Sequence, residues 1–292
     1  MVGPTATGKS ALALDLAEAL DGEIVNADAM ALYKGMEIGT ARTPVKDRRG
    51  IPHHQLDVLE VTEEASVATY QREARADIEQ IWGRGKAAIL VGGSGLYVRA
   101  VTDQIDFPGT DPVVRRRWEE LGQAKGPEHL HHLLQEQDPA AAQAILPGNL
   151  RRLVRALEVI EITGRPFSAH LPAYTPWRPL HLVGLDLDNN VLDQRISQRA
   201  TAMMAAGLVE EAARLADQGL RAGKTASRAI GYSQALAVLD GLLDLGQATD
   251  QIALATRQLS RRQRKWFRRD PRITWLDGAG QSVVDQALAV LG

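Results

Sequence analysis

The amino-acid sequence predicts an α/β fold in which a parallel-sheet core, covered by helices on both faces, carries an all-helical insertion domain. Three observations favour this class. Short apolar runs alternate with helical patterns in the first hundred or so residues, which is typical of strand–helix–strand units. A glycine-rich loop opens the chain. Residues 111–177 show helical segments and no convincing strand, so they are expected to form a unit of their own.

The first element is a phosphate-binding loop. Residues Gly3 to Ser10 fit the P-loop template G-x-x-x-x-G-K-[S/T], in which a glycine-rich turn follows a buried strand and opens a helix. Only Met1 and Val2 precede Gly3, whereas strands average about five to six residues. We therefore expect the strand to begin upstream of Met1, with a short stub in the sheet as the alternative.

Helices and strands alternate after this loop. Leucines at every fourth position predict a helix from Lys9 to about Leu20. The stretch EIVNAD predicts a short strand with Asp28 at its carboxyl end, and residues 70–82 form a helical pattern. The apolar run AAILVGGSG is a strand stopped by glycines. Ligands bind beyond the carboxyl ends of parallel strands, so Asp28, residues 92–94 and the P-loop are expected around one crevice.

The chain returns to the sheet after the insertion. HLVGLDL predicts a strand, residues 190–219 form one long helical pattern, and RITWLD is the last strand. The predicted catalytic core therefore consists of residues 1–110 and 178–292, and the insertion consists of residues 111–177.

Composition limits the class of protein. The 292 residues are 45% hydrophobic, which suits one large domain or two modest ones with a sizeable core. No run of about eighteen apolar residues is present to span a bilayer, and the start of the chain lacks the layout of a secretory signal. We expect a cytoplasmic monomer without a membrane partner.

The absence of cysteine excludes disulfides and thiolate zinc sites, and His129, His131 and His132 are interpreted as surface residues.

The net charge of −2 is unevenly distributed. Residues 257–269, RQLSRRQRKWFRR, hold seven basic residues and no acidic one, so the remainder carries a formal charge of −9. A basic segment on an acidic body predicts a polyanionic partner bound at one place. Trp266 and Phe267 in this segment can stack on bases or pack in the core, and we favour the core.

The P-loop alone does not identify a reaction. Its amides would face phosphate oxygens, Lys9 would neutralise a phosphate, and Ser10 would ligate Mg²⁺. By motif alone, nucleotide binding by an ATP-dependent kinase or a hydrolase is the default. A hydrolase needs an acidic residue at the end of a buried strand, but the clearest later strand ends in Gly-Gly-Ser. Asp28 can accept a proton from an attacking nucleophile, and small-molecule kinases use the same arrangement.

Six ordered blocks carry a family resemblance. NADAMALYKGMEIGTARTP, residues 26–44, resembles the signature of bacterial tRNA dimethylallyltransferases, A-D-S-x-Q-x-Y-[R/K]-G-M-D-I-G-T-A-K-P. The blocks that follow in order are PHHQLD, LVGGSGLYVRA, DPAAAQAILPGNLRRLVRALEV, SRAIGY and TRQLSRRQRKWFR. Together they run through nearly the whole chain. The sequence departs from the signature at Ala29 and Ala31, which replace Ser and Gln and so remove hydrogen-bonding groups near the acceptor adenine.

The resemblance implies transfer of a dimethylallyl group from dimethylallyl diphosphate to the exocyclic amine of adenosine 37 in tRNAs, which gives isopentenyladenosine and diphosphate. It implies that Asp28 accepts the amine proton, while Lys9, Ser10 with Mg²⁺, and Arg228 stabilise the leaving diphosphate. The residues implied for the diphosphate site are Gly3, Pro4, Thr5, Ala6, Thr7, Gly8, Lys9 and Ser10.

The resemblance also implies that the target base lies in the anticodon stem-loop and must be unstacked to reach a pocket. The residues assigned to tRNA binding are Asp28, Ala29, Met30, Ala31, Ser94, Arg115, Arg151, Arg152, Arg155, Arg257, Arg261 and Arg264. Three assignments keep alternatives open. Arg228 could be a surface residue, and Arg195 and Arg199 could either close over phosphate or lie on a solvated helix face.

Two other enzyme classes and one non-enzyme class remain as rivals. A small-metabolite kinase would need ATP and would ignore tRNA. A free-nucleotide isopentenyltransferase shares the loop, the aspartate and the donor, but a free nucleotide offers little for the insertion and the basic segment to bind. A non-catalytic RNA-binding protein is disfavoured because the P-loop residues, Asp28 and Arg228 are all present.

Overall fold

The computed structural model describes residues 1–170, 174–280 and 282–291. Contacts divide the chain into two compact units: Met1–Thr102 with Pro179–Gly292, and Asp103–Arg178. The second unit begins before residue 111, where the change of sequence texture placed the boundary, and residues 171–173 of the expected insertion lie outside the described residues.

The first unit contains two parallel sheets. In the first sheet, β1 (Gly22–Asn26) lies between β2 (His53–His54) and β3 (Ala87–Val91). In the second, β4 (Leu182–Asp186) pairs with β5 (Ile273–Asp277). All pairings between these strands are parallel, which confirms the predicted α/β class.

The first two residues connect the sheets. The Val2 N–H donates to the Val183 carbonyl at 2.9 Å, and the Val2 carbonyl accepts from the Leu185 N–H at 2.9 Å. On the other side, the Met1 carbonyl accepts from the Gly92 N–H at 3.2 Å. The backbone that enters the P-loop therefore pairs with β4 on one side and with the end of β3 on the other.

Twelve α-helices lie in the described residues. They are α1 (Lys9–Ala19), α2 (Val67–Gly83), α3 (Gly95–Thr102), α4 (Pro112–Lys125), α5 (Pro127–Gln137), α6 (Pro139–Ala144), α7 (Leu150–Thr163), α8 (Asn189–Ala205), α9 (Leu208–Asp217), α10 (Tyr232–Leu239), α11 (Leu245–Phe267) and α12 (Val283–Leu291). None of these helices is long and apolar enough to cross a bilayer.

One predicted helix is wrong. The pattern over residues 190–219 belongs to two helices, α8 and α9, because the chain turns at Gly207, whose φ of +94° ends one helix and caps the next. Glycine reaches this left-handed region at little cost. The predicted helix after the P-loop is confirmed and ends at Ala19.

The second unit is helical in its described residues. Helices α4 to α7 enclose an apolar core whose members include Leu130, Leu134, Leu153 and Leu157, all fully buried. The buried carboxylate of Glu158 accepts from the Asp111 N–H at 3.2 Å and from Arg155 at 3.0 Å. The helices α4 to α7 confirm the expected all-helical character of the insertion.

Candidate active site

The P-loop has the backbone geometry that phosphate binding needs. Gly3 has a φ of +135°, and a Cβ there would lie 2.2 Å from the Leu185 carbonyl oxygen, so only glycine fits. The Thr7 hydroxyl donates to the Pro4 carbonyl at 2.9 Å and closes the loop from within. Gly8, with a φ of +99°, then leads into α1. The helix N-terminus supplies unpaired amides and a partial positive charge to an anion.

Lys9 is the loop's cation, and its ammonium is partly desolvated. Its Nζ donates to the Pro4 carbonyl at 2.6 Å. Burial lowers the pKa of Lys9 to about 8; the charge of Asp28 opposes this decrease, and the charge of Arg199 adds to it. A bound anion would oppose this decrease in the pKa of Lys9, because an opposite charge favours the protonated form.

Asp28 is held in place by backbone contacts on both sides. Its N–H donates to Asn26 Oδ1 at 2.9 Å, and Asn26 Nδ2 donates to the Asp28 carbonyl at 3.0 Å. Its own Oδ1 accepts from the Met30 N–H at 2.9 Å. Burial raises the pKa of Asp28, against the effects of the Met30 N–H and the charge of Lys9. The carboxylate is therefore oriented and has increased affinity for a proton.

The turn after β3 packs against the end of β1. The Ser94 hydroxyl accepts from the Ala29 N–H at 3.1 Å, and the Ser94 N–H donates to the Ala27 carbonyl at 3.3 Å. A Cβ on Gly92 would lie 2.2 Å from the same carbonyl oxygen. Ser94 therefore helps to fix the backbone beside Asp28.

Two cavities meet at Asp28 within the first unit. The loop cavity, of about 270 Å³, is lined by P-loop residues that include Lys9 and Ser10, and also by Ala31. The wide cavity, of about 470 Å³, is lined by Ala29, Met30, Ser94, Arg228, Arg262 and Trp266, and by apolar side chains of α8 and α11. The residues common to both walls are Thr5, Asp28, Thr40, Ala41, Gly93, Arg199 and Gln263. The Asp28 carboxylate thus lies between the space lined by the P-loop and a wider, more apolar space.

Arg199 is a site residue that the sequence left undecided. It lines both cavities, and among the described residues no carboxylate lies within ion-pair distance of it. Burial lowers its pKa, and the charge of Arg195 acts in the same direction. Arg228 lines only the wide cavity. An unpaired, half-buried guanidinium beside Lys9 favours an anionic ligand.

A buried carboxylate shapes the loop that carries Thr40 and Ala41. Glu211 of α9, 2% exposed, accepts from the Ile38 N–H at 3.0 Å and from the Tyr232 hydroxyl at 2.6 Å. Glu211 lies on the same face of α9 as the buried Leu208, Ala212 and Leu215. A charged residue within this apolar stripe was a signal of the contact that the sequence analysis did not use.

Some arginines of the basic helix α11 and the turn after it form intramolecular contacts, and others are exposed; Arg268 does both. Arg264 donates to Asp186 at 2.6 Å and to the Leu187 carbonyl at 2.7 Å, and Arg268 donates to the same carboxylate at 2.8 Å. Arg257 donates to Ser197 at 3.1 Å. The basic residues of α11 and the turn after it that remain exposed are Arg261, Arg262, Lys265, Arg268 and Arg269.

The two aromatic residues of this segment differ. Phe267 is buried, as predicted, but the core assignment of Trp266 is wrong, because its ring is 38% exposed and lines the wide cavity. Trp266 packs against Gly95, where a Cβ would lie 2.2 Å from the indole.

In the second unit, four arginines line one cleft. Arg115, Arg151, Arg152 and Arg155 surround a space of about 420 Å³ together with Asn149. Arg155 donates to the Pro108 carbonyl at 2.6 Å and is therefore partly structural. Arg151 and Arg152 are exposed, and no ion pair engages either of them within the described part of the chain.

The donor set around the loop fits magnesium through few protein ligands. Among the described residues no group of three or more His, Cys, Asp or Glu could hold a metal ion. Ser10 is exposed at the start of α1 and lines the loop cavity. Mg²⁺ commonly takes one or two protein oxygens and completes its shell with phosphate oxygens and water, so Ser10 fits that role when a diphosphate is bound.

The chain resembles known proteins over its whole length. The model of the IPP transferase family matches residues 31–270. A tRNA dimethylallyltransferase of Nocardia farcinica is 57% identical over 100% of this chain and 94% of its own length. One of Saccharopolyspora erythraea is 59% identical over 100% of this chain and 94% of its own.

Solved structures agree with these relatives. The full-length tRNA isopentenylpyrophosphate transferase of Bacillus halodurans has a TM-score of 0.71 at 37% identity, over 99% of this chain and 92% of that one. A eukaryotic dimethylallyltransferase acting on tRNA has a TM-score of 0.86 at 27% identity, over 99% and 76%.

Proposed function

Because the chain belongs to the IPP transferase family, we propose that it transfers a dimethylallyl group from dimethylallyl diphosphate to the exocyclic amine of adenosine 37 in tRNA. The observation that carries this proposal is the position of Asp28 in the common wall of the loop cavity and the wide cavity. A diphosphate in the first and an adenine in the second would bring the amine and the allylic carbon together beside the carboxylate.

In the reaction, the adenine nitrogen forms a bond to the allylic carbon as the bond from that carbon to the diphosphate oxygen breaks. Asp28 accepts the proton that the amine loses, an effect that is typically worth about a hundredfold to ten-thousandfold in rate. The P-loop amides, Lys9 and Arg199 stabilise the negative charge that grows on the diphosphate. Arg228 reaches the same anion from the wide cavity. Mg²⁺ held by Ser10 and the diphosphate would neutralise part of this charge.

For the RNA, we propose two basic surfaces, one in each unit. Arg151 and Arg152 on α7 are exposed and unpaired, which suits anticodon-stem phosphates. The exposed cations of α11 suit phosphates around the base that enters the wide cavity. Within that cavity, Trp266 provides a face for base stacking. Arg264 is a weaker candidate than the sequence suggested, since Asp186 already neutralises it.

We propose that the protein is active as a monomer and that the reaction takes place in the cytoplasm. The test incubates the protein and Mg²⁺ with radiolabelled dimethylallyl diphosphate and, in parallel, an anticodon stem-loop with adenosine 3′ of the anticodon, AMP, or ATP. Label in the stem-loop alone supports the proposal. Label in AMP or ATP would indicate a free-nucleotide transferase, and ATP consumption without label transfer would indicate a kinase.

A further inference from the structure

Gln263 connects two loops of the site through one side chain. It lies on α11, three residues before Trp266, and is partly buried. Its Oε1 accepts from the Thr5 N–H at 2.8 Å, and its Nε2 donates to the Gly93 carbonyl at 3.0 Å. Thr5 belongs to the P-loop, and Gly93 precedes the Ser94 that contacts the backbone next to Asp28.

The chemistry of the contact requires a carboxamide. One partner is a backbone donor and the other a backbone acceptor, so the side chain must offer both an acceptor and a donor. The reverse orientation of the amide would place two donors together at Thr5 and two acceptors together at Gly93. A glutamate could accept from Thr5, but its carboxylate would oppose the Gly93 carbonyl.

The fit also depends on glycine. A Cβ at position 93 would lie 2.3 Å from Gln263 Nε2, which is too short for contact without displacement. One turn later on the same helix, Trp266 packs on Gly95 in the same manner. Helix α11 therefore contacts the turn after β3 at two points, through Gln263 and Trp266, and Gln263 also contacts the P-loop.

We propose that Gln263 is a positioning residue, which holds the P-loop and the 92–94 turn at the spacing that aligns the donor carbon with the amine at Asp28. The inference rests on the proposed function. It predicts that Gln263 acts on the donor and on turnover, not on RNA affinity, because its side chain points from α11 to the backbone of these loops. Misplacement of reacting groups by about 1 Å can reduce a rate on the order of a hundredfold.

The test compares Gln263→Met, which keeps length but removes both hydrogen bonds, with Gln263→Glu and with Gln258→Met. Gln258 is exposed on the same helix and serves as the matched control. Steady-state kinetics give kcat and KM for dimethylallyl diphosphate and for the stem-loop. Calorimetry with inorganic diphosphate measures the affinity of the P-loop for the diphosphate group alone. All assays run well below each variant's Tm.

We expect Gln263→Met to lower kcat/KM for the donor about tenfold or more, since each lost hydrogen bond is worth on the order of a fivefold change. The donor kcat/KM of Gln263→Glu should fall further than that of Gln263→Met. The RNA affinity of both variants should stay within twofold of the wild type, and Gln258→Met should match the wild type in every measurement. A donor kcat/KM of Gln263→Met within twofold of the wild type would overturn the inference, as would a loss confined to RNA affinity.

A second variant separates positioning from a general loss of structure. Gly93→Ala displaces the Gln263 amide by contact with the new methyl group. If Gln263 acts through Gly93, the losses of Gly93→Ala and Gln263→Met are not additive in the double variant. Full additivity would contradict the inference. Absence of transfer by the wild type would instead reject the proposed function itself.

Discussion

Replacing Glu211 with methionine is expected to lower stability strongly, because it leaves buried donors without an acceptor. Glu211 Oε1 and Oε2 accept from the Ile38 N–H at 3.0 and 3.1 Å, and Oε1 accepts from the fully buried Tyr232 hydroxyl at 2.6 Å. A weaker contact from the Glu37 N–H has a length of 3.2 Å. Each unsatisfied buried donor costs about 1–3 kcal/mol, so we expect a loss of about 3–5 kcal/mol. At roughly 2–4 °C for each kcal/mol in a protein of this size, Tm falls by about 10 °C.

The assay is thermal and urea unfolding of Glu211→Met, Tyr232→Phe and the double variant. Burial raises the pKa of Tyr232, and the Glu211 carboxylate adds to the increase, so the hydroxyl remains a donor. Tyr232→Phe should therefore be costly in the wild type and neutral or stabilising beside Glu211→Met. The control is Glu210→Met, at an exposed neighbouring position. A loss below about 1 kcal/mol for Glu211→Met, or additive effects of the pair, would refute the reasoning.

Three further outcomes are expected. Asp28→Asn should reduce prenyl transfer about a hundredfold or more while the stem-loop affinity, measured by filter binding, stays unchanged; unaltered turnover would reject Asp28 as the base. Burial lowers the pKa of Lys9 from 10.5 to about 8, so without ligand the folded state loses the Lys9 proton at a lower pH than the unfolded state does. The free energy of unfolding should therefore increase as pH rises from about 8 to 10.5. The same deprotonation weakens binding of dimethylallyl diphosphate above about pH 8, and Lys9→Arg, whose charge persists, should flatten that dependence in calorimetric titrations; an unchanged slope would contradict the assignment. Lys265→Met should reduce the salt dependence of RNA binding with little change in Tm, whereas Arg264→Met should lower Tm because Asp186 loses a partner; the opposite pattern would reverse their roles.

The sequence predicted the parts of the site that are local in the chain. The P-loop residues are contiguous, with a turn up to Gly8 that leads into α1 at Lys9, and Asp28 lies two residues beyond the end of β1. Such features depend on backbone geometry over a few residues, so spacing alone carries them. The alternation of apolar runs likewise predicted β1, β3, β4 and β5, whereas β2 has only two residues, too few to leave a pattern.

The remaining parts depend on contacts between distant segments. Arg199 and Gln263 come from α8 and α11, and neither helix pattern distinguishes a polar residue that enters a cavity from one that faces water. The pairing of Arg264 with Asp186 joins residues 78 positions apart. The basic run therefore predicted a positively charged surface on α11, but it could not distinguish the arginines that form intramolecular contacts from those that are exposed.

The common wall of the loop cavity and the wide cavity has a consequence for inhibitor design. A single molecule that carries an adenine and a non-hydrolysable diphosphonate on a short linker could occupy both spaces at once, since Asp28, Thr40 and Arg199 border each of them. Binding of one half raises the effective concentration of the other to about the millimolar range when the linker spans the gap. Such a bisubstrate ligand would bind more tightly than a ligand of the loop cavity alone, because it also fills the apolar space on the other side of Asp28.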